Sequence, residues 1–149
     1  MFNLIVKYIT KKNFDNLSIG NYHALLKTVD KNVEHKFLGS SAIGGHRQSK
    51  KSLTLWFERL FRLFPSIIFE INNIYVSGWP WKTIVVVEWT ADVSPSKGNA
   101  YINTGVHLIT LRWFKAISIH AYENAELVQN ACQSLIKHGV SEAGAKQIN

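Results

Sequence analysis

Tyr101-Ile-Asn-Thr-Gly-Val-His-Leu-Ile-Thr-Leu-Arg112, followed after Trp113-Phe114 by Lys115-Ala-Ile-Ser-Ile-His-Ala-Tyr122, is the stretch whose reading decides the fold. It is rich in β-branched and aromatic residues and has no proline, which predicts two long strands folding back on each other near Trp113 and Phe114. A two-residue turn there pairs His107 with His120, Ile109 with Ser118 and Leu111 with Ala116. Opposed Cβ atoms in an antiparallel pair lie roughly 4.5 to 5.5 Å apart, so the two imidazoles are expected on one face, close enough to share a proton, a water or a ligand.

Working outward, two further strands are predicted at 67–77 and 83–93, joined by Ser77-Gly-Trp-Pro-Trp-Lys82. In the second, Val85, Val87 and Trp89 alternate with Val86, Glu88 and Thr90, so one face is apolar and the other mixed. Asp92 lies on the alternation opposite to Trp89, towards solvent or a dimer partner. Trp79 and Trp81 flank a proline at a hairpin tip, where partial exposure is expected. A dimer contact, a cap on a cavity mouth, or packing back onto their own sheet all fit. Ser94-Pro-Ser-Lys-Gly-Asn99 is the turn into the opening hairpin.

Helices flank these strands. The strongest pattern is 50–64, where Leu53, Trp56, Phe57, Leu60, Phe61, Leu63 and Phe64 cover more than half the circumference and Pro65 ends the run. Such a stripe builds core, and the same rings can floor a pocket. Two shorter helices are predicted at 3–17 and 21–30, and a C-terminal one at 124–138, stopped by Gly139. The last ten residues read as an irregular or frayed tail. Val33 to Leu38 has period two, with Val33, His35 and Phe37 on one side, so His35 is either a core-edge histidine bonded to backbone or a polar group lining a cavity. Gly39 to Gly45 is a loop that matches neither common phosphate-binding glycine pattern. The order is α+β: a curved, mostly antiparallel sheet packed on N-terminal helices around a conical interior.

A chain of 149 residues, 46% hydrophobic and 18% charged, suits one globular domain (1–149, with its core about 7–138) rather than a disordered segment. The net charge of +7 raises nucleic acid as a partner, but the lysines are scattered with no run longer than two, so none is expected. Cys132 is the sole cysteine; this excludes an internal disulfide and a cysteine-rich metal site and suggests a buried structural thiol. No window approaches the roughly 18 uninterrupted apolar residues of a membrane span. No membrane partner and a soluble, cytoplasmic protein are therefore the expectation.

That element order, with Phe57-Glu-Arg-Leu-Phe-Arg-Leu-Phe-Pro65 leading into Phe69-Glu-Ile71, then Val85-Val-Val-Glu-Trp-Thr90 and Gly105-Val-His-Leu-Ile-Thr-Leu-Arg112, resembles the nuclear transport factor 2-like superfamily in its SnoaL-like branch, from about Lys7 to Cys132. The resemblance implies a cone-shaped α+β barrel whose curved sheet encloses a pocket, commonly dimerising through the sheet's outer face. Members include polyketide cyclases, ketosteroid isomerases and dehydratases, beside many proteins with no known reaction. In the cyclases an aspartate near the end of the last strand is the general acid/base. Here that place reads Tyr122-Glu-Asn124, so Glu123 or Asn124 stands in, and Asn124 cannot carry a proton. Phe114 falls where many relatives place a glycine.

The chemistry such a pocket suits is proton transfer next to a carbonyl. His107 would be the base, His120 its orienting or relay partner, and Tyr122 or His35 the donor to the oxyanion. Trp56, Trp89 and Tyr101 would be wall and Asn103 a polar ligand contact. Zinc on His35, His107 and His120 is not expected, because short ligand spacing and an obvious carboxylate partner are missing; no metal or other cofactor is called for. The leading expectation is a homodimer that binds a small, apolar, carbonyl-bearing molecule, as a cofactor-free isomerase or cyclase. Its rival is a non-catalytic domain that uses the same fold to bind a ligand or partner.

Overall fold

The computed structural model describes all 149 residues. In chain order these form α1 (Phe2–Ser18), α2 (Tyr22–Leu26), β1 (Val29–Phe37), β2 (Gly45–Arg47), α3 (Lys50–Leu63), β3 (Ser66–Trp79), β4 (Lys82–Ser94), β5 (Tyr101–Arg112), β6 (Lys115–Glu123), α4 (Ala125–Lys137) and a 3-10 turn, Ser141–Gly144. The strands make one open six-stranded sheet in the order β2-β1-β6-β5-β4-β3. Only the β1–β6 pair is parallel. Register breaks at Ile71/Asn73 and Thr110/Leu111 each leave one extra residue, which bends and twists a strand, and a wider break separates Val29 from Glu34 in β1.

Helix α3 is seated against the sheet's inner face by Leu53, Trp56, Phe57, Leu60 and Leu63, spaced three and four apart, and all are buried. Ser49 caps its start, with its Oγ accepting from the Ser52 N–H at 3.0 Å. Leu53 is 0% exposed, so truncating it to alanine costs about 2 to 5 kcal/mol. The inner face of β4 answers with Val85, Val87, Trp89, Ala91 and Val93, all buried, in strict alternation.

Three expectations need correction here. Strand β1 begins at Val29, inside the segment predicted as helix 21–30, because α2 ends at Leu26 and β-branched Val29 enters the sheet beside Ala116. Strand β2 went unpredicted; three residues that begin with a glycine carry no periodicity. The last residues are not a frayed tail. Glu142 accepts two hydrogen bonds from Arg62 at 2.8 Å each, and Gln147 donates to the Gly39 and Ser41 carbonyls at 3.1 Å each.

The fourth correction bears on function. The β5–β6 turn is two residues long as predicted, with Arg112 paired to Lys115 and Leu111 to Ala116. Beyond it Ile117 is the extra residue of a bulge, so Thr110 pairs with Ser118, Leu108 with His120 and His107 with Ala121. A slip of one residue sends every later side chain to the opposite face. His107 and His120 therefore lie on opposite faces of the sheet.

Candidate functional site

Between the inner sheet face and helices α1 and α3 lies a cavity of about 130 Å³, with 25 hydrophobic residues among the 32 that line it. An apolar cavity of roughly 150 Å³ is large enough to admit a benzene ring. The polar groups in the wall are few, and each comes from a definable place in the fold.

His107 projects inward from the middle of β5. The Trp89 indole N–H, from the neighbouring strand, donates to His107 Nδ1 at 2.7 Å. An imidazole nitrogen that accepts carries no hydrogen, so the ring's hydrogen sits on Nε2. Phe14 of α1 packs edge-on against the imidazole at 5.2 Å. Burial drives the His107 pKa from its ordinary 6.5 down to about 4, so the ring is neutral at physiological pH. Gly105 makes this geometry feasible: a Cβ there would lie 2.5 Å from Trp89 Cζ2 and 2.6 Å from the Tyr122 carbonyl oxygen, so any larger residue displaces the indole.

Glu123, the last residue of β6, also faces the cavity. It pairs with Gly105, one diagonal step from His107, a separation of roughly 7 to 8 Å between backbones. The residue is 9% exposed, and neither carboxyl oxygen has a hydrogen-bond partner of good geometry. Burial pushes its pKa from 4.5 up to about 7, held back in part by the backbone N–H groups of Glu123 itself and Leu38.

His35 lines the cavity from β1, buried among Trp56 and Phe37. Arg47 Nε donates to His35 Nδ1 at 2.9 Å. Burial, with the Arg47 charge second, holds the His35 pKa well below its ordinary value. Arg47 is itself fully buried and lacks a carboxylate partner; its guanidinium is satisfied by the Gly44, Gly45 and Ile148 carbonyls at 2.7 to 3.0 Å. His35 is thus both a core histidine and part of a cavity wall, but its hydrogen bond comes from the Arg47 side chain and not from backbone as expected.

The remaining predicted residues divide sharply. Trp56, Trp89, Tyr101 and Asn103 all line the cavity. The Trp56 indole donates to the Ile43 carbonyl at 2.7 Å, which leaves only its apolar faces for a ligand. Burial raises the Tyr101 hydroxyl well above its usual range. Asn103 is mainly a brace: its Oδ1 accepts from the Thr104 and Asn124 N–H groups at 2.9 and 3.2 Å and so holds the strand end that carries Glu123. His120 and Tyr122 are not in the cavity. His120 Nε2 lies 2.7 Å from Glu34 Oε1 on the outer face, and Tyr122 is exposed beside it. The hydrogen bond to His120 is the main cause holding the Glu34 carboxyl below its ordinary pKa. Asp92 is exposed and Cys132 buried, as expected. Arg47 passed unnoticed in the sequence, since an arginine beside glycines reads as surface; the buried alternation of β1 opposite it was the available signal.

No family model matches the chain, and no curated protein matches it by sequence. Solved structures do match. An NTF2-like protein of unknown function from Burkholderia pseudomallei superposes with a TM-score of 0.75 at 11% identity, over 85% of this chain and 95% of that one. A protein from Jannaschia sp. CCS1, named provisionally as a SnoaL-like polyketide cyclase, gives 0.66 at 17% identity over 85% and 90%. TerC, co-crystallised with polyporic acid, gives 0.69 at 15% identity over 80% and 91%. Agreement over most of both chains at such low identity is a likeness of architecture, and the chain has the nuclear transport factor 2-like fold.

Proposed function

We infer that the chain binds a small, largely apolar, carbonyl-bearing molecule in this cavity and moves a proton on it without a cofactor, in the manner of an isomerase, cyclase or dehydratase. The observation that carries the reading is Glu123, a buried carboxyl without a side-chain partner whose pKa of about 7 lets it both take and return a proton near neutral pH. In this reading the Glu123 carboxylate removes a proton from the carbon next to the carbonyl. His107, neutral and with Nδ1 occupied by Trp89, uses its Nε2–H as donor to the enolate oxygen rather than acting as the base. The protonated Glu123 then returns the proton to a different atom of the ligand. TerC, co-crystallised with polyporic acid, supports a reading in which this fold takes up a small molecule.

Hydrogen–deuterium exchange at the acidic carbons of simple cyclic ketones, followed by NMR, tests this. Catalysed exchange by the wild type that disappears in Glu123→Gln supports it; exchange that survives the substitution removes Glu123 from the role. A second reading, ligand binding without turnover, draws on His35, whose imidazole is tied to Arg47 as a structural acceptor. Binding of the same ketones with no exchange in the wild type would favour it.

The homodimer expected from the sequence belongs to the same proposal. The outer face of the sheet presents half-buried Val86, Val106 and Leu108 with exposed Tyr75 and Tyr122, an apolar surface that a second copy would cover. Sedimentation of a monomer at micromolar concentration would dismiss it.

A further inference from the structure

At the end of the sheet formed by the β3–β4 and β5–β6 turns, three tryptophans stand in water: Trp79, Trp81 and Trp113 are 66%, 57% and 61% exposed. Trp79 and Trp81 stack at 5.8 Å with planes 6° apart, and Trp113 lies 6.3 Å from Trp81. The two turns are tied together by the Trp113 N–H, which donates to the Pro80 carbonyl at 2.6 Å. Helix α1 joins this end through Phe2, whose ring packs on Phe114 at 5.5 Å, and adds exposed Leu4, Ile5 and Tyr8.

The backbone adds an independent sign. Trp113 and Phe114 occupy the left-handed region, with φ of 49° and 67°. Two-residue turns of this kind favour Asn-Gly, and bulky aromatics there are strained. Strain held at an exposed position points to a use for the side chains displayed. The charge at the turns is positive: Lys82, Arg112 and Lys115 are exposed, as is Lys7 on α1, while Asp30 of β1, next to Val29 and its partner Ala116, is an acidic neighbour. No aspartate or glutamate occurs from Met1 to Phe14, from Ile71 to Val87 or from Asn103 to Tyr122.

Exposed tryptophans flanked by cations match the chemistry of a bilayer interface: indoles settle at headgroup depth, and lysine and arginine meet anionic lipid. We propose that this end of the molecule is a peripheral docking surface for anionic membranes. No helix is long and apolar enough to cross a membrane, so the contact is with the surface only. It runs against the expectation of no membrane partner. The tip reaches the interior through Phe114, which lines the cavity and sits in the docked turn. Docking itself does not depend on the catalytic reading. Single-stranded nucleic acid is the less favoured occupant, because Trp79 and Trp81 already cover each other's faces and the aliphatic side chains of α1 offer a base nothing to pair with.

Co-sedimentation of the full chain with vesicles of phosphatidylcholine alone, or mixed with phosphatidylglycerol, tests the proposal. Binding to the mixed vesicles, weak binding to the neutral ones and weakening with added salt are expected. Trp79→Ala/Trp81→Ala should lower the bound-to-free ratio on the order of tenfold, and Lys82→Glu/Arg112→Glu by a similar factor. Trp113→Asn separates docking from folding: it relieves the turn and raises the thermal midpoint while weakening vesicle binding. Wild-type chain left in the supernatant with the mixed vesicles overturns the proposal, as does binding indifferent to all three variants. So does a tryptophan emission shift that appears on concentrating the protein without lipid, which assigns the patch to a second copy, or binding of an oligothymidylate in preference to vesicles.

Discussion

His107 and His120 sit thirteen residues apart on the same hairpin and have opposite surroundings. The first is neutral, held by an indole hydrogen bond and faced by apolar rings inside the cavity. The second shares a carboxylate with His46 on the outer face, where Glu34 Oε1 lies 2.7 Å from one imidazole and Oε2 3.4 Å from the other. On this hairpin the inner face keeps its histidine neutral and the outer face pairs its histidine with a carboxylate, and the bulge at Ile117 is what sends the two to different faces. The lesson is that the candidate chemistry belongs to one side of the sheet, and that Glu123, not His120, is the inner-face partner of His107.

The largest effect should come from Glu123→Gln. Loss of a general base typically costs about 10² to 10⁴ in rate, read here as ketone exchange. Stability responds in the other direction. Because the folded state favours the protonated carboxyl, its contribution is complete below pH 4.5 and is lost as pH rises to about 7. The variant should therefore exceed the wild type above pH 7 by up to about 3 kcal/mol, and the gain should vanish towards pH 4.5 in urea titrations. His107 works oppositely: its stability is present above 6.5 and declines as pH falls towards about 4. A Glu123→Gln profile that parallels the wild type at every pH would break the contrast between the faces.

Gly105→Ala comes next. The added Cβ meets Trp89, so about 1 to 3 kcal/mol of stability should be lost in denaturant titrations, along with affinity for any cavity ligand. Trp89→Phe keeps an aromatic ring but removes the donor to His107. About 1 to 2 kcal/mol is expected, and ¹⁵N chemical shifts should report a mixture of imidazole tautomers in place of Nε2–H alone. The smallest effect belongs to the outer face. His120→Ala should cost less than about 1 kcal/mol and leave ligand binding intact; a loss of exchange activity would return His120 to the site despite its position.

Much of the fold was readable because its elements carry strong periodicity. The α3 stripe from Leu53 to Leu63 and the alternation of Val85, Val87 and Trp89 can be satisfied only by a helix laid on one face of a sheet. Six of the eight predicted site residues, His35, Trp56, Trp89, Tyr101, Asn103 and His107, line the cavity, since alternation reports direction wherever the register is undisturbed. His120 and Tyr122 were misplaced because nothing in Lys115-Ala-Ile-Ser-Ile-His-Ala-Tyr122 marks Ile117 as an extra residue. Arg47 and the tail were missed for a related reason: the acceptor that completes the guanidinium, the Ile148 carbonyl, lies 101 residues further along the chain.

What the order of residues settles here is local: which segments are helix or strand, and which of their faces is apolar, because those follow from short-range spacing and the need to remove hydrocarbon from water. Which strand face each histidine occupies, the desolvation of Glu123, and the burial of Arg47 beneath the chain's last residues arise only once distant segments meet. Register, dielectric surroundings and long-range hydrogen-bond partners are properties of that assembly, and the candidate site consists of them.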